Sequence, residues 1–301
     1  MTLSSERAEP LGPAAVPHPS APPAPPAPPG AAAAATARTA DRVHEVLRVA
    51  DPEAVWAFGG PDGPLAGSEH GRYGDRDADA HADFEGEGVG EGKDGGEGAG
   101  RDVGALFPVL ALWPVIGSLV AEEVLRLHTP LTAYGHEAAA DTPSGTTTHH
   151  LLTHPGGRRA AHTAHAALTR LAEHLGGGPL AELAATRIWQ PLGMTGTRCT
   201  GGTLEAPLAD LGRFLGVLLG RSDHPVPRTW TTESLRIRTG ELTPARGLLW
   251  YPGPHGTWTY GDTAAVWVAP ALRRWAVLLP AAPRGPLRTS FREAVFAPAA
   301  R

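Results

Sequence analysis

The sequence predicts an α/β chain of the α+β type, whose sheet is built from segments near both ends with helices between them. Three observations predict it. Strand-like runs stand at the two ends, Val55-Trp-Ala-Phe58 on one side and Thr263-Ala-Ala-Val-Trp-Val268 with Trp275-Ala-Val-Leu-Leu279 on the other. Helical periodicity fills the middle, over Thr163–Leu175, Pro179–Trp189 and Leu208–Leu219. Gly-rich punctuation at Gly176-Gly-Gly178 separates two of these helices. At 301 residues the chain is long enough to bury a sizeable core around such a sheet.

Taken in order, residues 1–39 read as a disordered Pro/Ala tail and residues 40–301 as the folded domain. Ala21-Pro-Pro-Ala-Pro-Pro-Ala-Pro-Pro29 has too few side chains to bury for them to offset its ordering entropy. Asp41–Arg48 places Val43, Val46 and Leu47 on one helical face. Val55–Phe58 followed by Gly59-Gly-Pro-Asp-Gly63 reads as a strand, a turn and the start of a hairpin. Residues 75–100 are rich in Gly, Asp and Glu, and are expected to be a disordered acidic loop. Asp75-x-Asp77-x-Asp79 hints at a calcium loop, but Ala80 and Gly86 stand where glycine and a bidentate glutamate are needed.

Val103–Ala121 is uncharged and apolar enough by length to be a membrane span. Pro108 and Pro114 inside it, and its helical continuation into Glu122-Glu-Val-Leu-Arg-Leu127, favour a buried central helix. Gly247-Leu-Leu-Trp250 reads as a further strand, and Phe291–Phe296 as a short closing helix.

Composition narrows the function classes. A net charge of -5 with no basic stripe argues against nucleic acid as a partner. The single Cys199 allows no intramolecular disulfide, and residues 1–10 hold no apolar signal core, so the expected location is the cytoplasm. High Ala, Gly, Pro and Arg against a lone Lys93 point to a high-GC, actinobacterial source.

Several segments, in one order, resemble the serine β-lactamase and penicillin-binding-protein family, with its class C β-lactamase, D-alanyl-D-alanine carboxypeptidase and esterase relatives. His149-His-Leu-Leu-Thr-His-Pro-Gly-Gly157 is similar to that family's R-H-L-L-T-H-T-S-G segment. Arg187-Ile-Trp-Gln-Pro-Leu-Gly-Met-Thr-Gly-Thr197 resembles its I-x-x-P-L-G-M-x-x-T stretch, and Leu208-Ala-Asp-Leu-Gly-Arg-Phe214 its A-x-D-L-A-R-F helix. Gly247-Leu-Leu-Trp250 resembles its G-L-G-W, and His255-Gly-Thr-Trp-Thr-Tyr-Gly261 its H-G-G segment. The resemblance spans Ala40 to Phe296. It implies an antiparallel sheet flanked by helices, with an all-helical part inserted between the N- and C-terminal strands.

The resemblance also implies a chemistry that these residues do not supply. Family members use S-x-x-K, in which a desolvated lysine takes the serine proton. They add Y-x-N and a third motif, K-T-G or H-x-G. Here S-x-x-K lands on Leu106-Phe-Pro-Val109, or with a short gap on Ala111-Leu-Trp-Pro114; neither holds a serine or a lysine. Y-x-N lands on Ala160-Ala-His162, and His255-Gly256 alone survives of the third motif, its last position being Thr257. In a serine protease, losing the nucleophile or its base alone costs about 10⁶ in turnover. The remnant cleft positions are therefore Leu106, Val109, Ala160, His162, His255 and Gly256, with no catalytic residue among them.

Other candidates compete with structural readings. His150 and His154 are four apart, a spacing used by metal ligands, but in the resembling family this segment binds no metal. Ser118 reads as a small core residue, Ser68 lacks an orienting group and an oxyanion hole, and Cys199 has only Arg198 beside it as a cation. His162 and His165 read as exposed helix residues. The tryptophans read mostly as core; Trp250, Trp258 and Tyr260 are expected to approach the cleft beside His255. The expectation is a non-catalytic protein without a cofactor or a membrane span, acting on a small molecule in the remnant cleft or on a protein partner. The alternatives are a hydrolase rebuilt on a relocated serine or a His-bound metal, and a decayed gene product.

Overall fold

The computed structural model describes residues 29–68, 100–153, 158–240, 244–282 and 286–298. A six-stranded sheet runs in the order β2-β1-β9-β8-β7-β6, with every neighbouring pair antiparallel. Its strands are β1 (Val55–Gly60), β2 (Gly63–Gly67), β6 (Tyr251–Pro252), β7 (Trp258–Tyr260), β8 (Ala265–Ala269) and β9 (Arg274–Leu279). A small sheet, β3 (Arg101–Asp102), β5 (Thr203–Ala206) and β4 (Arg198–Thr200), lies apart from it. The expected joining of the two chain ends is thus present: β1 pairs with β9 from Val55↔Leu279 to Gly59↔Trp275.

Period-two alternation divides the main sheet into two faces. Trp56, Phe58, Trp267, Ala276 and Leu278 point to one side, where helices α1 (Pro29–Ala50) and α8 (Leu287–Phe296) close a core with Val43, Leu47 and Phe291. Val55, Ala57, Val266, Val268, Trp275 and Val277 point to the other, into a larger core shared with the helical part. That part contains α2 (Trp113–Ala121), α3 (Thr148–Leu152), α4 (Arg158–Gly176), α5 (Leu180–Ala184), α6 (Leu208–Leu219) and α7 (Arg228–Ser234). Helix α6 lies against β9 because Gly212 leaves room for the indole of Trp275, whose Nε1 donates to Gly60 O at 2.8 Å.

Three elements differ from their expected form. Helix α1 begins at Pro29 rather than near Ala40, because an alanine run has the highest helix propensity and extends the helix beyond its packed residues. Gly247–Trp250 is not a strand. Its N–H groups are engaged elsewhere, Leu248 with Ser234 O and Leu249 with Leu152 O, while Gly247 N closes a turn onto Trp250 O and Leu249 stands at φ +74°. The ladder begins only at Tyr251. Most of Val103–Ala121 is buried in the core as expected, but its helix stops at Ala121, with Glu123 at φ +59°, instead of continuing to Leu127. No helix among the described residues is long and apolar enough to cross a membrane. The Pro/Ala run before Pro29, the Asp75–Asp79 triplet and His154 lie outside the described residues.

Candidate functional site

The central segment is assembled around its prolines. Gly104–Leu106 forms a 3₁₀ turn, Pro108–Leu112 a π-helical turn, and α2 follows. Pro114 has no N–H to offer the carbonyl of Leu110, its partner in a regular α-helix. The structure meets that carbonyl with the indole of Trp189, whose Nε1 donates to Leu110 O at 2.9 Å. Trp113 Nε1 donates to Ser234 Oγ at 2.9 Å, and Trp230 Nε1 donates to Trp113 O at 3.1 Å. Around this segment Leu106 and Val109 are both 0% exposed. Leu106 lies against the turn after β7, since a Cβ at Gly261 would come within 2.9 Å of Leu106 Cδ2. The turn of Gly104–Leu106 and the end of β7 therefore meet side by side, with a leucine at the junction.

The sheet edge beside this junction is aromatic and carries one buried cation. Tyr260, 8% exposed, has its ring centroid 6.5 Å from that of Tyr251 and 6.5 Å from that of His165 on α4. Arg246, 9% exposed, holds its guanidinium 3.8 Å from the centroid of the Tyr251 ring, a cation–π stack. Its Nε has no hydrogen-bond partner among the described residues. Burial, with the nearby Tyr251 and Asp262, raises the Tyr260 phenol well above its usual range, against a smaller opposing effect from Arg246. Burial, and secondarily His162, lowers the His165 imidazole to about 4. At neutral pH this edge thus presents the neutral Tyr260 phenol, a neutral imidazole and a guanidinium stacked on Tyr251.

No family model matches the chain, and no curated protein sequence matches it significantly. Solved structures do. An unliganded simvastatin synthase (LovD) from Aspergillus terreus superposes with a TM-score of 0.64 over 87% of this chain and 98% of that one, at 11% identity. The D-alanine carboxypeptidase AmpC from Burkholderia cenocepacia gives 0.61 over 88% and 99%, at 14% identity. A β-lactamase from Mycobacterium bovis gives 0.59 over 81% and 93%, at 21% identity. The fold is that of the serine β-lactamases and penicillin-binding proteins. The β-lactamase fold accounts for the terminal helices on one face of the antiparallel sheet and the helical part on the other.

Within this β-lactamase fold the anticipated cleft positions do not all converge. Leu106 and Val109 lie in the core shared with the helical part. Ala160 and exposed His162 stand on the first turns of α4, which packs against the Pro108–Leu112 turn. His255 is directed elsewhere. It sits with Gly256 in a tight turn at φ +59° and +68°, and its Nε2 lies 2.6 Å from Glu293 Oε2 on α8, the helix of the opposite face. Hydrogen bonds from His255 and Arg292 hold the Glu293 carboxyl below its usual range.

The remaining candidates are engaged structurally. His150 caps α3: its Nδ1 accepts from Thr147 N at 3.3 Å, and its own N–H donates to Thr147 Oγ1 at 3.2 Å. Among the described residues no three His, Cys, Asp or Glu side chains come together as a metal ion needs. Ser118 Oγ donates to Val115 O at 2.9 Å, and Ser68 Oγ exchanges hydrogen bonds with the backbone of Trp56. Arg198, the cation beside Cys199, is paired with Glu205 at 2.8 Å, and desolvation raises the thiol. Trp250 is core, edge-on to Trp113 at 5.8 Å, whereas Trp258 is half-buried and Tyr260 lines the edge described above. His165 is half-buried against Tyr260 rather than exposed. Sequence reasoning passed over Arg246 and Tyr251. Their signal was a lone arginine abutting the apolar Gly247-Leu-Leu-Trp250, where a charge has no periodic reason to be.

Proposed function

We propose that this chain is a non-catalytic protein of the β-lactamase fold that acts by binding, with a small molecule at the remnant cleft as its ligand. The observation that carries the reading is the occupant of the junction between the central segment and the end of β7. Leu106 and Val109, where the resemblance places a nucleophile and its base, are fully buried hydrocarbon side chains. Neither can attack a carbonyl or accept a proton. The serines that could substitute are held by backbone: the Ser118 hydroxyl is donated to the preceding turn and that of Ser68 to Trp56. Among the described residues no basic side chain is bonded to either as a base; the Arg187 guanidinium near Ser118 is a donor only.

The test is covalent labelling of folded full-length protein with a fluorescent penicillin and a fluorophosphonate, read by intact mass. No adduct is expected with either reagent. An adduct would overturn the proposal, and peptide mapping would then identify the recruited nucleophile, Ser118 or Ser68 being the first to check.

A further inference from the structure

A buried guanidinium without a carboxylate is an unusual thing for a fold to keep. Desolvating the charge is unfavourable, and an opposite charge or a full set of acceptors normally offsets it. Arg246 is nine-tenths buried, has an unpartnered Nε and enters no ion pair among the described residues. Its guanidinium lies over the face of Tyr251. That stack stabilises the flat face of the guanidinium and leaves its nitrogen edge, the part that recognises oxyanions in a two-pronged manner. The surroundings set the charge of what can complete it. Burial keeps Tyr260 and His165 neutral at pH 7, and Asp262, near Tyr260, lies close enough to Arg288 to act on its charge. One positive charge with no ion-pair partner among the described residues matches one negative charge, and a dianion would leave an excess behind.

We propose that Arg246, backed by Tyr251 and flanked by Tyr260 and His165, is an anion-recognising site that takes the carboxylate of a small monoanionic organic acid. The proposal rests on the reading of the chain as a binding protein and adds the chemical class of its ligand. The site joins the β6–β7 edge to α4, so an acid seated on Arg246 touches both the sheet and the helical part. Tyr251 contributes aromatic surface, and the Tyr260 phenol and His165 imidazole contribute hydrogen-bonding groups but no competing charge.

The experiment is a titration of the full chain, labelled with ¹⁵N at arginine Nε, with benzoate and N-acetylglycine. Benzamide, N-acetylglycinamide and inorganic phosphate serve as controls. The Arg246 Nε resonance is the one missing from the spectrum of R246K. Expected are saturable shifts of that resonance with both acids, at least tenfold weaker binding of the two amides, and weaker binding of phosphate. R246Q is expected to lose at least tenfold in affinity for the acids and Y251L several-fold. Amides as tight as acids, phosphate tighter than the acids, or unchanged acid binding by folded R246Q would each overturn the proposal. Should R246Q fail to fold, the acid–amide comparison on the wild-type resonance decides alone. A penicillin or fluorophosphonate adduct with acid binding intact would sink the non-catalytic reading and leave this site. No adduct and no acid binding would do the reverse.

Discussion

The Asp210 carboxylate, 1% exposed, accepts hydrogen bonds from Gly196 N and Thr197 Oγ1, each at 2.9 Å, and from Arg213 Nη1 at 2.5 Å. It fastens the Pro191-Leu-Gly-Met194 turn to the start of α6, which explains why the Leu208–Phe214 segment pairs an aspartate with an arginine. The two kinds of bond should differ in worth. Arg213 is half-exposed, and an ion pair reaching into water contributes little. Asp210→Ala leaves the buried Thr197 hydroxyl and the partly buried Gly196 N–H without an acceptor, and is expected to cost about 2–4 kcal/mol in urea unfolding. Arg213→Ala should cost less than about 1 kcal/mol. Equal losses would mean that the ion pair, and not the turn-anchoring bonds, holds the junction.

Gly117 in α2 sets helix propensity against packing. Propensity alone favours Gly117→Ala by about 1 kcal/mol. A Cβ there would stand 2.5 Å from Trp230 Nε1, inside an indole that is buried and hydrogen-bonded to Trp113 O. The expected outcome is destabilisation by about 1–3 kcal/mol, measured by urea melts; a gain in stability would show that Trp230 has room to withdraw. The same contrast marks what the sequence could tell. Helix α6 was legible to its ends, Leu208 and Leu219, because an amphipathic stripe with Pro207 before it and Gly220 after it needs no tertiary information. Gly247–Trp250 was not, because four apolar residues look the same in a strand and in a buried turn whose N–H groups are claimed by Ser234 and Leu152. Leu106 was singled out by resemblance alone. Arg246 could not be, since burial of a single charge is decided by neighbours distant in the chain, and His255 was misdirected because nothing local announced Glu293 on α8.

At the scale of the whole molecule, acid sensitivity follows from His165. Its folded pKa of about 4 lies below the ordinary histidine value near 6.5, so the unfolded chain binds the proton first. Stability therefore falls as pH drops from about 6.5 toward 4, and His149, lowered by burial and the nearby His128, acts in the same direction. Thermal melts of His165→Gln between pH 7 and pH 4 are expected to show a shallower loss than the wild type; an unchanged slope would place the acid sensitivity elsewhere. The pairing of β1 with β9 has a consequence of a different kind. The hairpin β1–β2 leaves the ribosome early, but the strand that covers the inner edge of β1 begins at Arg274. At about 5–20 residues per second, that edge waits roughly 10–45 s for its partner during synthesis. Throughout that interval Val55-Trp-Ala-Phe58 is an apolar strand with open hydrogen-bonding groups, the kind of template on which nascent chains adhere to one another. Yield in the cell should accordingly depend on chaperone supply and translation rate, even where the finished protein is stable.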